Sequence, residues 1–319
     1  MARDLAEWRA RIEEASGRIY QLVDQTPIAL LEGDSRISSP RAFLKLEHLQ
    51  KTGSFKLRGA TNKILSLSPE EAAKGVITSS TGNHALGVAT AARSRGIDAE
   101  VFVSSQVSAK KLRLIEDCGA RITVTGANPL DAELAARAAA SASGKTYISP
   151  YNDPYVIAGQ GTIGIEVWQQ LPSVDAIYVA VGGGGLVSGI GAYIKSVSRQ
   201  TEIVACWPEN SRVMYECLRA GKVIDFPEQP TLSESTAGGV EPGSITFELC
   251  QRVIDRCLLV SETEILEAMR WAHQRRCMVE GAAGVAIAAF FKDATDQRKK
   301  TAVIISCGGN IGREVLARL

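Results

Sequence analysis

The chain has 319 residues, of which 45% are hydrophobic and 22% charged, as in a globular protein large enough for two lobes. Lysine and arginine number 36 against 35 acidic residues, which argues against nucleic acid or an anionic membrane as a partner. Seven cysteines without a C-x-x-C pair, three scattered histidines and no signal or membrane-spanning run favour a reduced, cytoplasmic protein without a metal cluster.

The first predicted element is an amphipathic helix, since apolar residues recur at steps of three or four from Leu5 to Ile19. Beyond it, short β-branched runs alternate with alanine-rich stretches of helical length. The runs predict strands at Phe43–Lys45, Val76–Thr78, Glu100–Val103, Ile122–Thr125, Ala176–Val181, Ile203–Cys206, Cys257–Val260 and Ala302–Ser306. The stretches predict helices at about Phe55–Leu67, His84–Arg95, Ala109–Cys118, Leu130–Ala142, Pro154–Gln170, Leu186–Val197, Arg212–Ala220, Glu262–Gln274, Ala282–Phe291 and Ile311–Ala317. This alternation predicts an α/β fold with parallel sheets covered by helices.

Four polar or glycine-bearing loops each follow a predicted strand and open a helix. They span residues 51–56, 79–84, 182–185 and 306–310. Because open α/β sheets bind ligands beyond the carboxyl ends of their strands, we expect the four loops to share one polar ligand.

The run from Gly182 to Gly185 joins an apolar strand to a helix. Glycine lets successive N–H groups point into one concavity, and a helix N-terminus adds positive partial charge, so the run predicts a phosphate site. A dinucleotide site is disfavoured, because Ser188 replaces the third glycine and the next strand ends at Cys206 without an acid. A plain tight turn remains an alternative.

Lys56 is predicted at or near the start of a helix, after the loop that contains Ser54, a candidate N-cap. Phe55 and Leu57 on either side indicate a semi-buried position. A helix N-terminus disfavours an ammonium ion and so favours the free amine that Schiff-base chemistry needs. The alternative is an ordinary solvated lysine.

Several ordered motifs resemble those of one family. They are Lys45–Ala60, Thr78–His84, Ala158–Ile163, Gly182–Gly185, Glu280–Gly284 and Ser306–Asn310. Together they resemble fold-type II enzymes dependent on pyridoxal phosphate (PLP), in the branch of threonine/serine dehydratases and serine racemases. The resemblance covers nearly the whole chain. It implies a two-lobed, tryptophan synthase β-like α/β fold, with a large lobe of residues 1–67 and 153–319, a small lobe of residues 68–152, and a homodimer.

The resemblance also implies roles for individual residues. Lys56 would hold PLP through its amine, Phe55 would pack against it, and Asn83 would hydrogen-bond its 3′-oxygen. Gly182, Gly183, Gly184 and Gly185, with Leu186, would hold its phosphate, and Cys307 would face its pyridine nitrogen. The residues assigned to the amino-acid substrate are Ser80, Thr81, Gly82, His84, Tyr151 and Gly239. For His84, a capping or packing role is an equal alternative, and for Cys307 the alternative is an inert buried thiol.

The implied activity is that of a lyase. Lys56 would take the α-proton of a β-hydroxy amino acid as general base, and loss of water would lead to a 2-oxo acid and ammonia. A thiol at Cys307 would leave the pyridine nitrogen largely unprotonated, which suits elimination. The chain ends soon after the catalytic core, so we expect neither a regulatory domain nor feedback by a product.

Departures from the family pattern leave the substrate and the reaction open. Thr81 stands where many relatives have Ser, which makes racemisation less expected. The racemase-type cation site lacks its acids, with Trp207, Ser211 and Val213 at the matching positions and Glu209 the only nearby acid, so no metal is predicted. Gly238 replaces a frequent Asp, and together with the Thr81 loop it resembles dehydratase-like proteins associated with hydroxyectoine use. Phenylserine-like and hydroxyaspartate-like substrates are further possibilities. A racemase, a β-replacement enzyme, a non-catalytic binding protein and a nicotinamide dehydrogenase are the rival functions.

Overall fold

The structure is a computed structural model that describes residues 4–31, 41–105, 107, 109–171, 173–293 and 301–319. Its strands are β1 Ile28–Leu31, β2 Arg41–Lys45, β3 Val76–Ser79, β4 Ala99–Val103, β5 Arg121–Val124, β6 Thr146–Tyr147, β7 Ala176–Ala180, β8 Glu202–Pro208, β9 Arg256–Val260 and β10 Thr301–Ile305. Its helices are α1 Leu5–Ile19, α2 Lys56–Leu65, α3 Pro69–Lys74, α4 Asn83–Ser94, α5 Ala109–Asp117, α6 Pro129–Ser143, α7 Pro154–Gln170, α8 Gly185–Val197, α9 Val213–Ala220, α10 Ile245–Val253, α11 Glu262–Gln274, α12 Gly281–Asp293 and α13 Arg313–Leu316. Within these ranges, every helix is too short or too polar to cross a bilayer.

The strands form two sheets. The larger has the order β1-β2-β10-β7-β8-β9, and all its pairs are parallel except β1 with β2. The smaller has the order β5-β4-β3-β6 and is parallel throughout. Central strands such as β7 are buried along their whole length, as expected where helices cover both faces of a parallel sheet. The predicted α/β class with parallel-rich sheets is confirmed.

Each sheet has its own apolar core. The larger cluster surrounds β7, β8 and β10, and a second cluster lies against β3 and β4. This second cluster includes Ala60 and Ile64, so α2 packs with the smaller sheet although its residues precede position 68. The division of the chain at residues 68 and 152 stays a prediction.

Glycines on α7 allow this helix to approach two neighbours at backbone distance. A Cβ on Gly159 would lie 2.6 Å from the carbonyl oxygen of Arg58 on α2. A Cβ on Gly189 of α8 would lie 2.6 Å from the backbone nitrogen of Gly161. Because α2 begins with Lys56 and α8 begins at the glycine run, α7 fixes the spacing between the two predicted cofactor-binding elements.

All eight predicted strands and the N-terminal helix are present, with bounds shifted by a few residues. The sequence missed β1, β6, α3 and α10. The strand β1 is only four residues long, and pairing with β2 rather than an alternating pattern defines it. The six-residue α3 depends on a capping box, in which Ser68 and Glu71 satisfy each other's backbone N–H groups.

Candidate active site

Three of the four predicted loops leave the same edge of the larger sheet, because β2, β10 and β7 are adjacent and parallel. The loop after β2 pairs with the loop after β10. The Phe55 N–H donates to the carbonyl of Cys307 at 3.0 Å, and Ser54 forms an antiparallel bridge with Gly308. The contacts of the loop after β2 with the loop after β10 are therefore consistent with the expectation that these two loops share one site.

Lys56 is the first residue of α2 and is half-buried. Its Nζ donates to the carbonyl oxygen of Pro150 at 2.8 Å and lies 5.3 Å from the centre of the Phe55 ring. Burial lowers the pKa of Lys56 to about 8, while the nearby Cys307 and Glu280 partly oppose this shift. The amine therefore loses its proton much closer to neutral pH than the amine of an ordinary lysine does.

The predicted N-cap was wrong. Phe55 occupies the N-cap position of α2 and makes no side-chain capping bond. Ser54 is buried, and its hydroxyl has no hydrogen-bond partner among the described residues. The bridge to Gly308 draws Ser54 into the contact with the loop after β10, and no local signal predicts this long-range contact.

The glycine run forms a turn whose walls leave no room for side chains. A Cβ on Gly183 would lie 2.4 Å from the Tyr151 ring, and one on Gly184 would lie 2.9 Å from the Cys250 sulfur. Gly184 has φ +87°, and α8 begins at the next residue. Among the described residues, no backbone acceptor is found for the N–H groups of Gly182 through Leu186. Free N–H groups at a helix N-terminus fit a phosphate.

Asn83, the first residue of α4, is held in place from both ends of its side-chain amide. Its Nδ2 donates to the two carboxylate oxygens of Glu280 at 3.0 and 2.9 Å. Its Oδ1 accepts from Asn310 Nδ2 at 2.7 Å. This network links the smaller sheet to the loop after β10. It also contains Glu280, which the sequence analysis did not assign to the site. The signal available in the sequence was the position of Glu280 at the head of a matched motif.

Cys307 is buried directly after β10. Burial raises the pKa of the Cys307 thiol well above its ordinary value, and the Glu280 carboxylate adds to the shift. The group is therefore a neutral thiol at physiological pH, as the role implied by the resemblance requires.

His84 is buried, and its ring is engaged away from solvent. Nε2 lies 3.1 Å from the carbonyl oxygen of Ile148, and Nδ1 has no hydrogen-bond partner among the described residues. Burial, with a contribution from Lys56, lowers the pKa of His84 to about 3. The ring is therefore neutral and donates from Nε2, a contact that supports the packing alternative for the side chain.

The other residues predicted to bind the substrate differ in whether the structure places them near the rest of the site. Ser80, Thr81 and Gly82 are half-buried in the turn before α4, where the Ser80 hydroxyl accepts from the Gly82 N–H at 3.2 Å. Tyr151 packs against Gly183 and Gly185, and its hydroxyl accepts from the Glu241 N–H at 3.0 Å. Gly239 is exposed, and a Cβ built on it would have no heavy atom within 4 Å. Among the described residues, no hydrogen bond joins Gly239 to the rest of the site.

The surroundings of the expected cation position differ from the sequence-based expectation in one respect. Ser211 contacts the carboxylate of Glu228, which is 17 residues away, so Glu209 is not the only nearby acid. Across the described ranges, no group of three or more His, Cys, Asp or Glu side chains is arranged to hold a metal ion.

A buried ionic network lies beneath the lysine loop. The Arg58 guanidinium contacts Glu47 at 2.7 Å and Glu166 at 2.6 Å, and Lys45 contacts Glu166 at 2.6 Å. All four side chains are at most 1% exposed. Burial alone would raise the pKa of Glu166, but Arg58 and Lys45 hold it below its ordinary value. Glu47 precedes the loop of residues 51–56 and Arg58 follows it. Their ion pair therefore holds together the two ends of the segment that carries Lys56.

Comparisons with known proteins agree with this geometry. Residues 19–308 match the family model described as pyridoxal-phosphate dependent enzyme. The chain is 38% identical over 309 residues to L-threonine ammonia-lyase of Thermotoga maritima, covering 97% of this chain and 77% of that protein. It is 37% identical over 312 residues to L-threonine dehydratase catabolic TdcB of Escherichia coli K12, covering 97% and 92% of the two chains.

Solved structures give the same result. Threonine deaminase isoform 2 of Solanum lycopersicum superposes with a TM-score of 0.92 at 30% identity, covering 98% of this chain and 92% of that one. Maize serine racemase superposes with a TM-score of 0.92 at 31% identity, covering 100% and 97%. Deaminases and racemases are thus both found among the structural neighbours of the chain.

Proposed function

The chain belongs to the family of pyridoxal-phosphate dependent enzymes, and from that premise we propose that it is an ammonia-lyase acting on threonine, serine or a similar β-hydroxy amino acid. The products would be a 2-oxo acid and ammonia. The observation that carries the proposal is the half-buried Lys56 amine, whose pKa of about 8 makes it available as a base beside a glycine cradle fitted to phosphate. The nicotinamide alternative has no support, because the family match supplies a different cofactor.

The residues present fit PLP. Lys56 would hold it covalently, Phe55 would pack against it, and the N–H groups of the run from Gly182 to Leu186 would bind its phosphate. Asn83 would bind its ring oxygen, and Cys307 would face its ring nitrogen. When bound, PLP supplies the electron sink that weakens bonds at the α-carbon of an amino acid. Everything else in the reaction is orientation and proton transfer by the chain.

Lys56 would be the general base for the α-proton. A base works best when its pKa lies near the working pH, and burial places the pKa of Lys56 at about 8. The Pro150 carbonyl, 2.8 Å from Nζ, would orient the amine when it is not bonded to the cofactor.

The turn before α4 would bind the substrate carboxylate. Ser80, Thr81 and Gly82 precede the helix, and N–H groups at a helix N-terminus favour an anion. The backbone N–H of His84 would also bind the substrate carboxylate, while its neutral ring donates a hydrogen bond to the Ile148 carbonyl. Tyr151 and Gly239 would border the substrate side chain.

Two features favour elimination over racemisation. A neutral Cys307 thiol would leave the ring nitrogen unprotonated and so limit charge build-up at the α-carbon. Thr81 stands at the position where a serine would act on the second face of the substrate. A racemase activity remains the second candidate, because maize serine racemase and this chain share 31% identity over the full length of this chain.

We extend the proposal to assembly and location. The chain would work as a homodimer with the small lobe at residues 68–152, as the family resemblance implies. A reducing compartment, the cytoplasm, is supported by seven free cysteines, of which Cys257 is exposed.

The test starts from the purified enzyme with PLP. We would measure 2-oxo acid and D-amino acid in one incubation with L-threonine and with L-serine, then reduce the protein with borohydride and locate the label. We expect 2-oxo acid to dominate and the label to lie on Lys56. Lys56→Ala should abolish product, whereas Lys51→Ala, which removes an exposed lysine of the same loop, should retain activity. Continued 2-oxo acid formation by Lys56→Ala would refute the proposal, and a surplus of D-amino acid would establish the racemase.

A further inference from the structure

Glu280 has no assigned role, although it contacts Asn83, which is proposed to bind the cofactor. Glu280 is only 7% exposed and lies just before α12, and its carboxylate accepts hydrogen bonds from two other segments. Besides Asn83, the Ser235 hydroxyl donates to it at 2.8 Å, and the backbone N–H of Asn310 helps to lower the pKa of Glu280. A Cβ on Gly308 would lie 2.8 Å from its carboxyl carbon, so the loop after β10 packs directly on it.

This arrangement decides which way the Asn83 amide faces. The Glu280 carboxyl oxygens accept from Asn83 Nδ2 and from the Ser235 hydroxyl, so the Asn83 nitrogen, and not its oxygen, points at Glu280. The Asn310 amide nitrogen can only donate, and it lies 2.7 Å from Asn83 Oδ1, which enforces the same orientation from the other side. Asn310 is itself fixed, because its Nδ2 also donates to the Thr52 carbonyl at 2.9 Å.

One hydrogen of Asn83 Nδ2 remains for a ligand. The two oxygens of one carboxylate lie close together, and both are within 3.0 Å of Nδ2. They subtend too small an angle at the nitrogen for both N–H bonds to be aimed at them, so a single hydrogen is shared between them. The second hydrogen points well away from Glu280 and is available to an acceptor in the cleft.

The charge of Glu280 also reaches the reacting groups. Burial raises the pKa of Glu280, but its donors Asn83 and Ser235 work against that shift by stabilising the carboxylate. The carboxylate in turn favours the protonated forms of Lys56 and Cys307. These pKa effects agree with a negative charge close to the expected position of the PLP ring. The orientation of the Asn83 amide follows from the hydrogen bonds alone and does not depend on these pKa effects.

We propose that Glu280 is a positioning residue that presents Asn83 as a hydrogen-bond donor to the ring oxygen of PLP. This inference rests on the proposed function only in that PLP is the ligand, which the family match supplies. Without an acceptor-only partner, the amide could rotate and present its oxygen to the ring oxygen, where two acceptors would repel. Glu280 would therefore act through Asn83 and not by contact with the substrate.

The test is a double-mutant cycle read as PLP affinity, with no substrate present. Dissociation constants would be measured by equilibrium dialysis for the wild type, Glu280→Ala, Asn83→Ala and the double variant. We expect each single change to weaken PLP binding by about tenfold or more, which is the size expected for the loss of one hydrogen bond to a charged group. If Glu280 acts through Asn83, the double variant should be no weaker than Asn83→Ala alone.

An absorption spectrum and two further variants distinguish a loss of Asn83 positioning from a general loss of folding stability. Glu280→Ala should shift the visible absorption band of bound PLP to shorter wavelength, because the ring oxygen loses its donor, and Glu280→Asp should restore part of the band. Asp293→Asn, which alters another carboxylate of a 7% exposed residue away from the site, should change stability but not the band or the PLP affinity.

Two outcomes would overturn the proposal. One is a double variant whose loss equals the product of the two single losses, which would mean that Glu280 acts independently of Asn83. The other is a Glu280→Ala protein with wild-type affinity and an unshifted band. Neither readout involves 2-oxo acid, so a failure here is distinguishable from a failure of the proposed lyase activity.

Discussion

Replacing Arg58 by methionine should cost a large part of the stability of the fold. Methionine keeps much of the volume but removes the cation that contacts Glu47 at 2.7 Å and Glu166 at 2.6 Å. Glu166 retains Lys45 at 2.6 Å, so the main penalty is the buried Glu47 carboxylate left without the cation it contacts. Removing one partner of a buried pair costs about 3–5 kcal/mol. That is a large share of the about 5–15 kcal/mol that typically stabilises a folded protein.

The loss should depend on pH in a defined direction. Because Arg58 and Lys45 hold the pKa of Glu166 below its ordinary value, the stability they contribute is present above the unfolded-state value of about 4.3 and is lost as the pH falls through the lower, folded-state value. Without Arg58, the buried Glu166 carboxylate is protonated at a higher pH, and its protonation relieves the cost of burying the charge. The difference between the wild type and Arg58→Met should therefore be largest near neutrality and shrink in acid.

Urea unfolding of both proteins at about pH 7.5 and about pH 5 measures this difference. The matched control is Arg121→Met, because the Arg121 side chain is 61% exposed and pairs with Asp98 at the surface. We expect the control to lose at most about 1 kcal/mol. A loss of less than about 1 kcal/mol for Arg58→Met, or a loss that grows in acid, would refute the reasoning.

Two further predictions concern the cofactor site. Gly184→Ala should lose about 2–5 kcal/mol of stability and most of its PLP affinity, because φ is +87° and the new Cβ would lie 2.9 Å from the Cys250 sulfur. Gly221→Ala has a similar φ of +70° with nothing within 4 Å, so urea unfolding and PLP titration should show only about 1–2 kcal/mol lost and unchanged affinity. The rate of PLP capture by the cofactor-free protein, followed by absorbance, should rise with pH and level off above about 8, because the free Lys56 amine is the reactive form.

Each of these has a result that would contradict it. Equal losses for Gly184→Ala and Gly221→Ala would show that the contact with Cys250 contributes nothing. A capture rate that keeps rising to about pH 10.4, the ordinary value for lysine, would show that the site does not lower the pKa of Lys56.

The sequence predicts elements whose causes are local. The strands β7 and β10 are runs of β-branched and aliphatic residues, and the loops that follow parallel strands identify one edge of the sheet as the site. Lys56 and the run from Gly182 to Gly185 were predicted as site residues in this way, with the family motifs supporting both predictions.

What the sequence did not reveal depends on contacts between distant segments. Glu280 looks like any acid near a helix until the structure places Asn83 and Ser235 against it, 197 and 45 residues away. Arg58 and Glu166 are 108 residues apart in the sequence, and arginine and glutamate are residue types that are not usually predicted to be buried. Ser54 has the composition of an N-cap, yet a bridge to Gly308 determines its position. Sequence analysis places charged and polar residues at the surface unless a motif indicates otherwise. Their burial therefore becomes known only from the structure.

The position of β10 has a consequence for how the protein is made on the ribosome. The smaller sheet takes its strands from one continuous stretch, residues 76–147, so it can pair completely while synthesis continues. The larger sheet cannot, because β10 lies between β2 and β7 although it is the last described strand in the chain. Until residues 301–305 emerge, β2 and β7 each present an unpaired edge, which is the kind of surface that invites aggregation and chaperone binding. The loop that carries Cys307 and Asn310 follows β10 directly, so the proposed cofactor site is complete only once the larger sheet has closed.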